Sequence, residues 1–206
     1  RAEVDFDMKN RVSVDVQTIF HKKEERTLSA AYKFYCGQVL ENAHSAEADT
    51  NATYETAMQF FDAGIPVATH LFNAMSAFQH RAPGVVGALF DHPTAMSSVI
   101  ADGYHVDYAA IRVAKKIMGD RLFCITDAVT DTSTGLYQHT LVGDKYESAG
   151  TLSGSALTQL KSIQNLVEHV GIPFGEAIRM CSLYPAKVMQ NKNISGTIAI
   201  NKKANL

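Results

Sequence analysis

Three short apolar runs of this sequence end in side chains that can bind metals or carry protons. The first ends in His70, the second breaks at Asp102-Gly103 and is followed by His105, and the third carries Asp127 at its end. Zinc and similar divalent ions take neutral imidazoles and carboxylates as ligands, and hydrolytic sites leave one position open for water. The pattern predicts a hydrolytic metal site, with His70 as a ligand and Asp127 as the proton acceptor for metal-bound water. The runs are residues 67–70, 97–101 and 122–126.

Each candidate also has a structural interpretation. A histidine on an apolar strand is often a core residue that donates to a backbone carbonyl, and an aspartate such as Asp127 is a common helix N-cap. The stretch after Asp127 is rich in Thr and Gly without a helical period, which favours the catalytic role. Arg81, in the loop 79–84, is either a solvated cation or an anion site, because guanidinium suits phosphate. Segment 150–155 is either a turn with an N-cap or a loop whose amides hold a polar ligand.

The elements that position these residues alternate between strand and helix. Apolar residues at helical spacing predict a helix that stops at Gly64, with Asp49, Asn51 or Thr53 as its N-cap. Alternating strands and helices indicate a parallel sheet, and continuous apolar runs are typical of strands covered on both faces. We therefore predict an α/β fold, either a barrel or a doubly wound sheet. The other main elements are strands 66–70, 97–101 and 121–126 and helices 108–118 and 156–170.

The remaining segments are less regular. Residues 131–150 lack periodicity and predict a loop with a short hairpin arm at 140–142. Pro173 and Pro185 are expected in the first turns of two further helices. Residues 12–19 alternate like a half-exposed strand, whereas residues 30–40 fit either a helix or a strand.

Composition excludes several classes of partner. The chain has 206 residues, of which 46% are hydrophobic, and a net charge of -2, so it offers no basic face for nucleic acid. No apolar run approaches the roughly 20 residues of a membrane span and no leader segment is visible, so we predict a cytoplasmic protein without membrane contact. The odd number of cysteines indicates reduced thiols at Cys36, Cys124 and Cys181. Because it starts at Arg1 and stops just after a strand-like segment at 196–200, we expect the chain to be incomplete.

Five motifs in order give the sequence from about Thr50 onwards a family resemblance. Together they resemble the N-acetylglucosamine-6-phosphate deacetylases of the amidohydrolase superfamily. The motifs are His70-Leu71-Phe72-Asn73-Ala74-Met75, His80-Arg81-Ala82-Pro83-Gly84, Ala101-Asp102-Gly103-Tyr104-His105-Val106-Asp107, Ile125-Thr126-Asp127-Ala128 and Gly150-Thr151-Leu152-Ser153-Gly154-Ser155.

The resemblance implies a fold and a division of the chain. It implies the later half of a distorted (β/α)8 TIM-like barrel, normally accompanied by a small β-sandwich that is largely missing here. Residues 1–48 would be remnants of the earlier barrel half. Residues 49–195 would form the barrel elements with the catalytic edge, and residues 196–206 would begin a return strand of the β-sandwich.

The resemblance also implies roles for individual residues. His70 would be a metal ligand and Asp127 the catalytic acid and base. Arg81 would bind the substrate phosphate from across the interface of a homodimer. The other implied substrate contacts are Asn73, Ala74, His105, Leu152, Ser153 and Gly154.

Two departures from the family pattern concern the metal. The family's H-L-E-G-P segment, which carries a metal-binding glutamate, occurs nowhere in this chain. The family's first histidine ligand belongs to a G-H-(S/T)-N-A-T motif, and the cognate stretch here begins Ala48-Asp49. Either Asp49 coordinates in its place or an insertion has moved the ligand to His44, which follows the strand-like residues 39–41. As a third interpretation, Asp49 is only the N-cap of the next helix.

The leading hypothesis is a hydrolase that uses one divalent metal ion to convert N-acetylglucosamine 6-phosphate into glucosamine 6-phosphate and acetate. Zinc is the first expectation, and the same ligand types accept iron, cobalt or manganese. The missing glutamate motivates an alternative, a non-catalytic relative that keeps the sugar-phosphate pocket. A third hypothesis is an amidohydrolase for another N-acyl sugar.

Overall fold

The computed structural model describes residues 27–134, 138–189 and 195–201, so the strand predicted at 12–19 lies outside the described residues. Helices and strands alternate through the middle of the chain. In chain order they are α1 Leu28–Cys36, α2 Ala46–Asp62, β1 Val67–Ala68, α3 Gly84–Asp91, β2 Met96–Ile100, α4 Tyr108–Met118, β3 Leu122–Ile125, β4 Thr140–Val142, β5 Lys145–Ser148, β6 Thr151–Ser155, α5 Gln159–Asn165, α6 Phe174–Cys181 and α7 Leu183–Met189.

The first three strands form the predicted parallel sheet, in the order β1-β2-β3. Val67 pairs with Met96, and Ser97 pairs in turn with Leu122. β1 is shorter than the predicted strand 66–70, because the chain already bends at residues 69 and 70. β2 is buried along almost its whole length, as its continuous apolar run predicts. The largest core side chains packed on this sheet include Leu71, Leu89, Ile111, Leu122, Leu166 and Met180.

Helix α2 begins earlier than predicted. Its N-cap is Ser45, whose side chain accepts a hydrogen bond from the amide of Ala48. The predicted N-caps Asp49, Asn51 and Thr53 are wrong, because all three lie inside the helix. The first two turns are largely polar and show no apolar periodicity, so a hydroxyl cap in the turn before them decides where the helix starts.

The segment 30–40 is resolved as a helix, α1, followed by irregular chain. Gly37 ends α1 in a left-handed conformation with a φ of 68°. Residues 39 and 40 form no strand, and residues 41–44 form a turn. His44 therefore does not stand at a strand end, contrary to the expectation from residues 39–41.

Beyond the parallel sheet lies a small antiparallel sheet, in the order β4-β5-β6. The predicted hairpin arm is confirmed as β4. In segment 150–155 only Gly150 lies in a turn, and residues 151–155 form strand β6, paired with β5, so the segment supplies no N-cap. The long helix predicted from residue 156 starts only at Gln159, capped by Thr158, and it ends in the π-helical turn Leu166–Val170.

Three further expectations have structural outcomes. Pro185 lies in the first turn of α7, as predicted, whereas Pro173 is the N-cap of α6 and stands one residue before its first turn. The three cysteines are free thiols. In the part of the chain that the structure describes, no helix combines the length and apolar character needed to cross a bilayer.

Candidate functional site

The ends of the parallel strands bring the predicted catalytic residues to one edge. Because β1, β2 and β3 run parallel, their carboxyl ends open at the same side of the sheet. His70 follows β1 by two residues, Asp102 follows β2 by two, and Asp127 follows β3 by two. In parallel sheets this edge is where ligands bind.

The loop after β1 has an unusual backbone. His70 has a φ of 43°, Phe72 of 75° and Ala74 of 52°, all in the left-handed region that side chains other than glycine rarely adopt. Strand β2 holds the start of this loop. The amide of His70 donates to Ser98 Oγ at 2.8 Å, and the amide of Leu71 donates to the Ser98 carbonyl at 2.7 Å. Strain that is held in place this way is characteristic of functional sites.

The His70 ring is fixed in one tautomer when it is neutral. Its Nδ1 lies 2.9 Å from the carbonyl oxygen of Asn73, and because a carbonyl only accepts, Nδ1 must carry the proton. Nε2 of the neutral ring then has a free lone pair on a half-buried side chain. Metal-binding histidines are typically oriented by such a hydrogen bond on the other nitrogen.

Asp127 is a fourth strained residue at this edge, after His70, Phe72 and Ala74. Its φ is 50°, and its side chain is exposed. The end of β6 holds its backbone, since the amide of Ser155 donates to the Asp127 carbonyl at 3.1 Å. Ser155 Oγ also donates to the carbonyl of Thr126. The carboxylate therefore stands in solvent on a fixed backbone.

His105 is oriented by a residue to which the sequence analysis assigned no role, Asp102. The His105 Nδ1 lies 2.6 Å from Asp102 Oδ2. Burial raises the pKa of Asp102, but hydrogen bonds from the His105 ring and from two backbone amides outweigh burial and hold the pKa below its ordinary value. The sequence contained one local sign of this contact. An aspartate that stands three residues before a histidine, in a turn with glycine, can accept a hydrogen bond from the histidine ring.

The loop 79–84 presents Arg81 to solvent. A turn closes at its base, where the amide of Gln79 donates to the Ala82 carbonyl at 3.3 Å, and Ala82 itself is buried. Among the described residues, the Arg81 side chain has no hydrogen bond or ion pair. Arg81 is thus not brought against the strand-end residues by contacts within the described chain.

The predicted substrate-lining residues divide into two groups. Asn73 and Ala74 lie in the strained loop, where Asn73 Nδ2 donates to the Leu71 carbonyl at 3.3 Å. Leu152 and Ser153 are half-buried in β6, and Ser153 Oγ is 2.9 Å from His139 Nδ1. Gly154 is buried, and a Cβ built on it would lie 2.7 Å from both Cγ atoms of Val129. Position 154 therefore has no room for a side chain beside Val129.

The two candidates for a second metal ligand lie next to one another. His44 is exposed with a φ of 75°, and its amide lies 3.2 Å from Asp49 Oδ1, which accepts its hydrogen bond. Helix α2 runs back to β1 through the short connection 63–66, so its amino end lies on the same side as the carboxyl end of β1. A contact of 3.1 Å between Thr53 Oγ1 and Ser76 Oγ joins this helix to the segment after His70.

A complete metal site is not present in the described residues. Within residues 27–134, 138–189 and 195–201, no three His, Cys, Asp or Glu side chains come together closely enough to hold an ion. A cleft of about 330 Å³ does lie beside Asp102, lined by Tyr104, Tyr108 and α5 among others, but His70 and Asp127 are not in its walls. The strand-end edge contributes two oriented imidazoles, those of His70 and His105, and the exposed carboxylate of Asp127.

Comparisons with known proteins agree on one family. Residues 38–206 match the sequence model of the amidohydrolase family. The chain is 40% identical over 168 residues to the N-acetylglucosamine-6-phosphate deacetylase of Haemophilus influenzae, covering 76% of this chain and 44% of that protein. It is 32% identical over 163 residues to the N-acetylgalactosamine-6-phosphate deacetylase of Escherichia coli O157:H7, covering 75% of this chain and 43% of that protein.

A solved structure gives the same result in three dimensions. The crystal structure of N-acetylglucosamine-6-phosphate deacetylase from Pasteurella multocida matches with a TM-score of 0.68 and 41% sequence identity. The match covers 74% of this chain and 42% of that chain. The chain thus spans less than half the length of these relatives.

Proposed function

The chain belongs to the amidohydrolase family, and from that premise we propose that it carries the acid–base half of a metal-dependent deacetylase site. The proposed reaction is hydrolysis of N-acetylglucosamine 6-phosphate to glucosamine 6-phosphate and acetate. One observation carries the proposal. His70 and Asp127, both held in strained conformations, stand at the carboxyl edge of one parallel sheet, and the neutral His70 ring presents a free Nε2.

The oriented His70 imidazole is a suitable ligand for a divalent ion, but the described residues supply too few ligands for a complete metal site. An imidazole whose Nδ1 is pinned by a carbonyl is a good ligand for zinc, iron, cobalt or manganese. His44 or Asp49 is the proposed second ligand, and further ligands must come from outside the described residues. A divalent ion held there would lower the pKa of its bound water towards 7.

The chain's own residues then have separate tasks. Asp127 takes the proton of the attacking water and delivers it to the nitrogen that leaves with the sugar. Its solvent-facing carboxylate on a fixed backbone suits this exchange. The substrate is held by Arg81 and His105, by the backbone of Asn73 and Ala74, and by the stretch 152–154.

The larger assembly is part of the same proposal. The sequential order β1-β2-β3 fits a stretch of a distorted (β/α)8 barrel, in which each strand pairs with the next along the chain. One half of a doubly wound sheet has the same order, and membership of the amidohydrolase family favours the barrel. The small β-sandwich, to which 196–206 would belong, and a cytoplasmic location stay predictions. So does the homodimer. The exposure of Arg81 supports it, because a phosphate-binding guanidinium without a partner in its own described chain is free to serve a neighbouring site.

Substitution of Asp127 tests the proposal. We expect Asp127→Asn to lower deacetylase turnover by about 10²- to 10⁴-fold, the usual contribution of general acid–base catalysis. Asp120→Asn is the matched control, since Asp120 is an exposed aspartate at the opposite end of β3. Release of acetate from N-acetylglucosamine 6-phosphate measures both. Turnover close to wild type in a folded, metal-loaded Asp127→Asn protein contradicts the assignment.

The incomplete set of metal ligands is the observation that favours the alternative, a non-catalytic relative that binds the sugar phosphate. Elemental analysis together with calorimetric titration of N-acetylglucosamine 6-phosphate separates the two. Stoichiometric metal with turnover supports the hydrolase, whereas binding without metal or turnover supports the alternative. A substrate panel that includes N-acetylgalactosamine 6-phosphate and unphosphorylated sugars tests the third hypothesis, another N-acyl sugar.

A further inference from the structure

The turn after β2 is built around a buried carboxylate. The side chain of Asp102 is only 4% exposed. Its Oδ1 accepts from the amides of Tyr104 and His105, both at 2.9 Å, and its Oδ2 accepts from His105 Nδ1 at 2.6 Å. A carboxylate is the side-chain group that accepts on both oxygens, so these three donors together fit an aspartate and not an asparagine.

The surroundings prevent this turn from relaxing. Gly103 has a φ of 80°, and a Cβ at that position would lie 2.9 Å from three atoms of the Tyr108 side chain. The Tyr108 ring in turn stacks on His169, with ring centroids 4.9 Å apart. The buried Asn165 also donates to the Ala101 carbonyl at 2.8 Å. Helix α4, through Tyr108, and helix α5, through Asn165, thus both pack against the turn.

We propose that Asp102 is a positioning residue, which fixes the His105 ring so that Nε2 faces the substrate at the strand-end edge. The proposal rests on the proposed function, because it assigns His105 to the same site. Asp102 acts only through His105. Its Oδ2 binds Nδ1, so the neutral ring keeps its proton on Nδ1 and carries the Nε2 lone pair on a side chain that is 8% exposed.

Asp102→Asn separates this role from a structural one. An asparagine offers one oxygen, which cannot accept from both backbone amides and from the ring, so the ring loses its orientation while the turn keeps most of its shape. We expect kcat/KM to fall by about 10- to 100-fold, the usual cost of losing the carboxylate that orients a functional histidine. Asp107→Asn is the control, since Asp107 Oδ1 also accepts a backbone amide, that of Ala109 at 2.7 Å, but Asp107 has no hydrogen bond to a histidine ring in the described part of the chain.

A double-mutant cycle shows whether the effect passes through His105. In a His105→Ala background, adding Asp102→Asn should lower kcat/KM no further, because the group that Asp102 positions is already gone. An equal loss in both backgrounds, measured on proteins with the same near-UV circular dichroism as wild type, would assign Asp102 to fold maintenance and overturn the proposal.

The tautomer of the His105 ring provides a second measurement that does not depend on enzymatic activity. Long-range ¹H–¹⁵N spectra, assigned with the His105→Ala protein, should show the proton of the neutral ring on Nδ1 in wild type and in Asp107→Asn, and a mixture of tautomers in Asp102→Asn. An unchanged tautomer in Asp102→Asn overturns the proposal. If the three proteins show these tautomers but wild type releases no acetate, the proposed deacetylase function is wrong, while the positioning of His105 by Asp102 stands.

Discussion

Gly154 should be the residue whose replacement by alanine most selectively disturbs Asp127. Its φ lies outside the left-handed region, so an alanine fits the local backbone. The obstacle is Val129, whose two Cγ atoms would lie 2.7 Å from the new Cβ, whereas ordinary contacts begin at 3.4 Å. Val129 is two residues from Asp127, and the same strand end binds both, through Ser155.

The size of the effect follows from this geometry. The two groups have to separate from 2.7 Å to at least 3.4 Å, and Ser155 ties that movement to the backbone of Asp127. Overpacking of this kind costs about 1–3 kcal/mol of stability. A displacement of a catalytic group by about 1 Å lowers turnover by about 10²-fold, so a shift somewhat smaller than that should cost about 10-fold or more.

A second substitution tests whether the clash with Val129 causes the effect. Val129→Ala removes both clashing methyl groups, so the double variant Gly154→Ala, Val129→Ala should recover most of the lost stability and acetate release. Urea unfolding and kcat/KM on the four proteins of the cycle give the coupling energy between the two positions. If Gly154→Ala loses activity and Val129→Ala restores none of it, the clash is not the cause, and a direct contact of residue 154 with substrate becomes the better explanation.

Three further predictions concern polar contacts of the sheet, of its edge and between helices α4 and α6. Arg121→Met should lower stability in urea by about 1–3 kcal/mol, because Arg121 donates to the carbonyls of Leu89 and Ala95, both at 2.8 Å, whereas Arg81→Met should change stability little. Ser98→Ala should leave the amide of His70 without an acceptor and increase hydrogen exchange there, while Ser97→Ala, on the other face of β2, should not change exchange at His70. Lys115→Met should destabilise the fold at pH 7, and the difference from wild type should shrink as pH falls.

The pH dependence of the last variant has a defined sign. Burial raises the pKa of Glu176, but hydrogen bonds from Lys115, Arg179 and Tyr184 outweigh burial and hold the pKa below its ordinary value. A lowered carboxyl pKa contributes stability that is present above the unfolded pKa of about 4.3 and is lost as pH falls through the folded value. Urea unfolding at several pH values between 3 and 7 should therefore show the two proteins converging at the acid end. A difference that grows as pH falls would contradict this account.

The alternation of strands and helices was predictable from the sequence, and the exact element boundaries were less so. Helix α4 matches its prediction at both ends, because Asp107 caps it and Gly119 terminates it. The start of α2 was missed, since its polar first turns carry no periodicity and Ser45 decides the boundary. Strand β6 was missed because Thr151–Ser155 pairs with β5, and such long-range pairing leaves no periodic pattern in so short and polar a segment.

The candidate site was predictable where side chains follow strands and not where turns create it. His70, His105 and Asp127 were found from three apolar runs, and the parallel pairing brings the ends of those runs to one edge. The strand expected before His44 is absent for a physical reason, because an apolar pair such as residues 39–40 forms a strand only when a neighbouring strand pairs with it. Asp102 went unassigned because its burial and its three hydrogen bonds arise only after the turn has closed.

The strand-end edge owes its rigidity to three buried serines in strands β2 and β6. Ser97 Oγ donates to the carbonyl of Ala68 at 2.8 Å, Ser98 Oγ accepts from the amide of His70, and Ser155 Oγ donates to the carbonyl of Thr126. Each hydroxyl joins neighbouring segments at the point where one of them leaves the sheet. A buried hydroxyl without a partner is costly, so each of these bonds is made in the folded state. The left-handed backbones of His70 and Asp127 persist because these cross-links leave the chain no relaxed alternative.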